Sequence, residues 1–161
     1  MAAKDSSGKT PGAFGSLLKD FRSAFGEMFG GGKLDPKQET TIEVMFALLG
    51  NLAGADSIVT THEAEFTNQM MDEFQLSTRG RDLAQDAFTR GRKREIDVDH
   101  ELKRYLSLYR TGSPEVERLY DALLRLAAAD GRLRPGEKIL LEKITVGLGY
   151  PIATLAARLG T

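Results

Sequence analysis

Cysteine is absent from the 161 residues. That removes disulfides, thiolate catalysis and cysteine-ligated zinc or iron–sulfur sites together, and it fits a reducing compartment. No apolar run approaches the ~20 residues that a membrane-spanning helix needs. The amino terminus also lacks the basic-then-apolar order of a secretory signal, so the expected location is cytoplasmic. Net charge is nearly absent as well. Lys and Arg number 22 against 23 Asp and Glu, leaving −1. No overall field therefore draws the chain to nucleic acid, and no nucleic-acid partner is expected. Gly30, Gly31 and Gly32 lack the following Lys-Ser/Thr and the preceding strand of a phosphate-cradling loop. No serine or threonine stands in a nucleophile-elbow context with a histidine base. The chain is therefore expected not to be an enzyme. The alternative of an enzyme on a helical scaffold has no paired nucleophile and base behind it.

What is present is an ordinary globular composition, 41% apolar and 28% charged. The length suits one domain, large enough to bury roughly two-thirds of the surface that the unfolded chain exposes. Residues 1–12 are small and polar and read as a disordered tail. Residues 13–29 read as an amphipathic helix, with Phe14, Leu17, Leu18, Phe21, Phe25, Met28 and Phe29 recurring at three- and four-residue steps. A glycine-rich linker is expected over 30–35, and one helical domain over 36–161.

Within that domain the start and stop signals are helical. Pro36 sits at a first helical position, followed by Ile42, Met45, Phe46, Leu49, Leu52 and Ala53. Thr60-x-x-Glu63 forms a capping box ahead of Phe66, Met70 and Phe74. Ser77 caps a helix with Leu83, Ala84, Ala87 and Phe88 inward and Gly91 as its stop. A further helix carries Leu102, Tyr105, Leu106 and Tyr109. Ser113-Pro114 opens another, which buries Val116, Leu119, Leu123, Leu126 and Ala127. Pro135 starts one with Ile139, Leu140 and Ile144, closing at Gly147 and Gly149. A short terminal helix covers Ile152 to Leu159.

The stretch from Leu48, LLGNLAGADSIVTTHEAEFTNQMMDEFQL, lies on the stretch from Ala122, ALLRLAAADGRLRPGEKILLEKITVGLGY. The offset is 74 residues, the same from Asp56 to Asp130 as from Glu63 to Glu137. Each unit reads as a helix, a tight turn and a second helix. One such hairpin cannot bury its apolar stripe alone, so the two units are expected to pack around a pseudo-two-fold axis. The expected fold is all-α, a compact bundle of about seven to eight helices built on this repeat.

The shared pattern L-x-x-L-A-x-A-D-G-x-[VL]-x-x-x-E resembles the helical hairpin of TerB-like domains. The intervening AFTRGRKREIDVDHELKRYL resembles the middle of the N-terminal domain of DjlA-type co-chaperones. The resemblance covers roughly residues 40 to 150. Ser57 departs from it by standing where the family has glycine. The resemblance implies an N-terminal membrane anchor, but Lys19, Asp20, Arg22 and Glu27 interrupt the apolar segment here, and charges are costly within lipid. It also implies a J domain with a His-Pro-Asp tripeptide that stimulates a DnaK-type chaperone. Neither His62 nor His100 is followed by Pro-Asp. The chain thus reads either as a stand-alone TerB-like protein or as part of something longer.

Asp56, Glu63, Asp130 and Glu137 are the candidate site. In each unit the Asp closes one helix and the Glu opens the next, so a two-fold packing would bring four carboxylates together. Such a cluster binds a hard divalent ion or retains a proton, and TerB-like proteins are associated with an acidic face of this kind. The other reading is structural: a glutamate at N3 caps a helix start, and Asp130-Gly131 is an ordinary turn pair. A divalent metal ion is the one cofactor these residues suggest. His62 beside Glu63 reads as solvated rather than as a further ligand.

Arg90, Arg92, Lys93 and Arg94 read as cations at a helix C-terminus, each worth ~0.3–1 kcal/mol with the helix dipole. They are flanked by Asp86, Glu95, Asp97 and Asp99, with no interleaved aromatics for base stacking. The resulting bipolar surface suits protein partners. For residues 14–29 docking on the domain, peripheral contact with the inner membrane, and pairing with a second copy as a homodimer all remain open. The functional expectation is a non-catalytic TerB-like sensing or scaffold domain in a stress-response or envelope-associated system. The alternative is a DjlA-like adaptor linked to a J-domain chaperone system.

Overall fold

The computed structural model describes residues 33–55, 65, 68–72, 76–128 and 133–160. The expected tail 1–12, the helix 13–29, Gly30 to Gly32, the capping box Thr60 to Glu63, Phe66 and Phe74 lie outside these residues. All regular structure among the described residues is α-helical, as the periodicity requires. Six helices have defined bounds: α1 Pro36–Ala53, α2 Thr78–Arg92, α3 Val98–Leu108, α4 Pro114–Ala128, α5 Pro135–Gly147 and α6 Ala153–Leu159. Residues 68–72 are helical too, and their Met70 and Met71 are buried.

The starts of these helices are set by local chemistry. At α1, Asp35 Oδ1 accepts from the Gln38 amide and Gln38 Oε1 accepts from the Asp35 amide, both at 2.8 Å, with Pro36 preset for the first turn. Ser77 Oγ accepts from the Gly80 amide at α2 and Ser113 Oγ from the Val116 amide at α4. Asp97 does the same for α3 through the His100 amide.

α1 is the centre of the domain. From Thr41 to Ala53 every residue except Glu43 is buried. The helix is covered on all sides, where the sequence pattern pointed to one apolar face, and this is what a helix apolar around its whole circumference requires. It packs on α2, α3 and α4, while α5 packs on α3, α4 and α6. Ile42, Phe46, Leu49, Tyr105, Leu119, Tyr120, Leu123 and Ile144 fill the space between them.

The α1–α2 crossing is a backbone contact. A Cβ on Gly50 would stand 2.1 Å from the Phe88 carbonyl oxygen, and one on Gly91 would stand 2.0 Å from that of Ala47. Gly91 is therefore not the stop expected of it. α2 continues to Arg92 with Lys93 as its C-cap, and the glycine exists to let α1 approach. The chain turns one residue after that cap, at Arg94, whose φ is 64°. A second correction concerns Ile139, which is 68% exposed although it was grouped with core residues. The buried stripe of α5 is Glu137, Leu140, Leu141, Ile144 and Thr145, and Ile139 falls on the opposite side.

Candidate functional site

Of the four candidate carboxylates, the structure places Glu137. It stands at N3 of α5, 8% exposed, and its Oε1 accepts from the Arg134 amide at 2.9 Å. The first turn of α5 is thus tied to its own N-cap by a carboxylate, with Pro135 at the first position. The capping role is realised, and one of the two carboxylate oxygens is engaged in it. Asp56, Glu63, Asp130 and His62 lie outside the described residues. Among the described residues no three His, Asp or Glu side chains come together as a metal-ligand set.

Beside Glu137 lies an open cleft of about 480 Å³ between the end of α1, the bend before α3 and the first half of α5. Its apolar lining is Ile96, Val98, Ile139 and Leu140; its polar lining is Asn51, Arg94, Asp97 and Lys143. Two hydrogen bonds and one long ion pair involve these groups. Asn51 Nδ2 donates to the Gly91 carbonyl at 3.1 Å, and Arg94 Nη1 donates to the Asn51 carbonyl at 3.3 Å. Lys143 Nζ lies 3.9 Å from Asp99, with both side chains at least half exposed. The cleft lining combines two cations, Arg94 and Lys143, one carboxylate, Asp97, and four aliphatic side chains, with no nucleophile beside a base. Arg90, from the same basic run, is paired with Asp86 one turn back at 2.9 Å, as a solvated helix end would be.

Two further charged groups knit the helices together. Arg104 on α3 bonds Glu101 at 3.0 Å and Glu43 of α1 at 2.5 Å, with Glu101 almost wholly buried. At the other end, Arg158 of α6 forks onto both oxygens of Glu117 at 3.0 and 3.1 Å, and Tyr150 donates to the same carboxylate. The Tyr150 hydroxyl and the Arg158 guanidinium hold Glu117 below the usual carboxylate range. Burial, and then that same carboxylate, push Tyr150 up to about 12. The Tyr120 and Tyr150 rings stack at 5.2 Å, with the Arg158 guanidinium over both.

Sequence reading missed Asn51 and Lys143, and placed Arg94 in a solvated basic run, because the three come from separated segments. The one available signal was Asn51, an amide set among apolar residues on a helix, where a buried polar group requires a partner.

Residues 42–159 match the family model described as tellurite resistance protein TerB. Among curated proteins, the chain is 33% identical over 124 residues to the co-chaperone protein DjlA of Vibrio vulnificus, covering 76% of this chain and 43% of that protein. It is 31% identical over 121 residues to the DjlA of Haemophilus influenzae, covering 73% and 41%. With the DjlA of Shewanella oneidensis it shares 25% over 119 residues, covering 74% and 45%. The chain spans less than half the length of these relatives, and their names are non-enzymatic in kind. No solved structure gives a significant match. No helix among the described residues is long and apolar enough to cross a membrane. The family match runs through both units of the internal sequence repeat and on to the last helix, and this chain therefore belongs to the TerB family.

Proposed function

We propose that this chain is a non-catalytic scaffold domain that acts through protein partners in a DjlA-type co-chaperone system. The observation that carries the reading is the 33% identity to a co-chaperone over 76% of the chain. The cleft beside α5 supports it, since a lining of mixed charges and aliphatic side chains suits a protein ligand better than it suits catalysis. The test is a graft. The stretch of Vibrio vulnificus DjlA that aligns with this chain is replaced by the aligned residues of this chain, and co-chaperone activity is compared with that of a deletion of the same stretch. Activity restored above the deletion supports the reading. A folded chimera no better than the deletion overturns it.

A sensing role through a divalent ion, held by Asp56, Glu63, Asp130 and Glu137, is the second reading. The matching positions of the four acids in the repeat favour it, together with the placement of Glu137 at a helix start beside an open cleft. A bound ion would supply charge neutralisation and a link between the two turns. Calorimetric titration with calcium, magnesium, manganese and zinc tests it. Saturable binding lost in both Asp56→Asn and Asp130→Asn supports a shared site, and no heat from the folded protein removes the ion. Peripheral attachment to the inner membrane through residues 14–29 would accompany the first reading and is tested by sedimentation with anionic vesicles.

A further inference from the structure

One residue of the cleft holds a backbone conformation that its own type does not favour. Arg94 has φ 64°, and among the described residues no other residue except glycine has a positive φ. It follows the C-cap of α2 in a turn closed by two backbone bonds. The Arg94 amide donates to the Gly91 carbonyl at 3.0 Å and the Glu95 amide to the Arg90 carbonyl at 2.8 Å. Glycine is the usual occupant of that position, because it has no Cβ to strain. The turn itself gains nothing from an arginine. Its side chain lines the cleft, where its one bond among the described residues is the 3.3 Å contact with the Asn51 carbonyl. The remaining guanidinium donors are left open.

Asn51 is a second unfinished polar group. It is 4% exposed, and the Gly91 carbonyl takes one hydrogen of its Nδ2. The other hydrogen and Oδ1 have no partner among the described residues. Oδ1 is not sealed from solvent, so the carboxamide opens onto the cleft that it lines. A free donor beside a free acceptor matches the C=O and N–H of a peptide unit. Lys143 brings the second cation, and its 3.9 Å pair with Asp99 is long and exposed. Asp97, the one carboxylate of the lining, already accepts from the His100 amide at the start of α3, where the helix dipole offsets its charge. The charge left for a ligand is therefore positive, and it stands beside the aliphatic Ile96, Val98 and Leu140.

We propose that this cleft binds an acidic peptide segment of a protein partner. Arg94 and Lys143 take a carboxylate, Asn51 takes a backbone amide, and a neighbouring aliphatic side chain of the peptide lies on Ile96, Val98 and Leu140. A cleft of about 480 Å³ has room for a few side chains. The proposal rests on the reading that the cleft serves a protein ligand, and it names the chemistry of that ligand.

Selection of short random peptides displayed on phage, against the full chain, tests it. Enriched peptides are expected to carry Asp or Glu beside Leu, Ile or Val. Affinities of the synthetic peptides are then read by fluorescence anisotropy. Lys143→Gln, at an exposed position, and Arg94→Gly, which relaxes the turn, are each expected to weaken binding about tenfold with the fold retained by circular dichroism. Replacing the peptide's own carboxylate by its amide should cost as much. Three results would each overturn the proposal: no peptide enriched over the bare support, enriched peptides without a carboxylate, or binding indifferent to Lys143→Gln. The graft into DjlA separates this from the co-chaperone reading. Peptide binding beside an inactive graft keeps the cleft and ends that reading, and an active graft with no peptide enriched does the reverse.

Discussion

The hydroxyl of Tyr120 lies 2.5 Å from Thr145 Oγ1, and in that pair the tyrosine is the donor. Thr145 gives its own proton to the Leu141 carbonyl at 2.6 Å, so its oxygen can only accept from Tyr120. The same arrangement joins α1 to the end of α3: Thr41 donates to the Lys37 carbonyl, and Tyr109 stands 2.9 Å from its hydroxyl. Two buried threonines, each bonded to its own helix, thus serve as acceptors for tyrosines from another part of the chain.

Tyr120→Phe removes the donor and leaves Thr145 still bonded to Leu141. It should cost about 1 kcal/mol in chemical denaturation. Thr145→Val strands the tyrosine hydroxyl in the core and should cost about 2 kcal/mol, within the ~1–3 kcal/mol range for an unsatisfied buried group. Equal losses in the two variants would mean that the hydroxyl finds another partner.

The α1–α2 crossing predicts that Gly91→Ala costs about 3 kcal/mol, because the new methyl meets backbone that cannot rotate away. Gln85→Ala, on the exposed side of the same helix, should stay within about 0.5 kcal/mol of the wild type. A Gly91→Ala protein as stable as the Gln85→Ala control would contradict the close approach.

Arg104→Met leaves Glu101 nearly buried without its cation and should cost about 2 kcal/mol. That is less than a fully buried pair would lose, because Arg104 is itself about a third exposed. Arg90→Met removes an exposed pair on a helix surface and should cost under about 0.5 kcal/mol. The comparison is read from urea midpoints at constant slope.

Docking of α6 should depend on pH at both ends. Glu117 is held low in the folded state, so its contribution is present above the ordinary carboxylate range and lost as pH falls through the depressed value. Tyr150 is raised to about 12, so its contribution is full below the ordinary tyrosine range and lost as pH climbs through that value. Glu117→Gln should flatten the acid side of the stability profile. Phenolate absorbance should show Tyr150 titrating later than a free tyrosine. A profile with the same acid slope in the variant would remove Glu117 as the cause.

Glu137→Ala should lower stability by about 1 kcal/mol in the absence of any ion, while Glu137→Gln keeps an acceptor for the Arg134 amide and loses less. Denaturation in the presence of a chelator makes the comparison. Equal losses would show that the charge, not the hydrogen bond, holds the turn.

The parts legible in the sequence were those decided within a few residues. Ser77, Ser113, Pro36 and Pro135 all start helices where their local chemistry places them. The inward faces of α4 follow from three- and four-residue spacing. Ile139 was misread because Ile139-Leu140-Leu141 is an aliphatic run that satisfies more than one face at once. Gly91 was misread because nothing near it in the chain announces the Ala47 carbonyl. The cleft could not be read at all, since Asn51, Arg94 and Lys143 meet only after α1, α2 and α5 have packed.

The glycine crossing also bears on the register of the domain's two most intimately packed helices. Sliding α1 along α2 by one turn, about 5.4 Å, in one direction sets Phe46 where Gly50 now passes Phe88. That side chain does not fit against bare backbone. In the other direction Gly54, which now lies against Arg92, takes the place of Gly50. A one-turn ratchet of α1 along α2 thus has one direction closed by a phenylalanine, and the other leaves a glycine at the crossing.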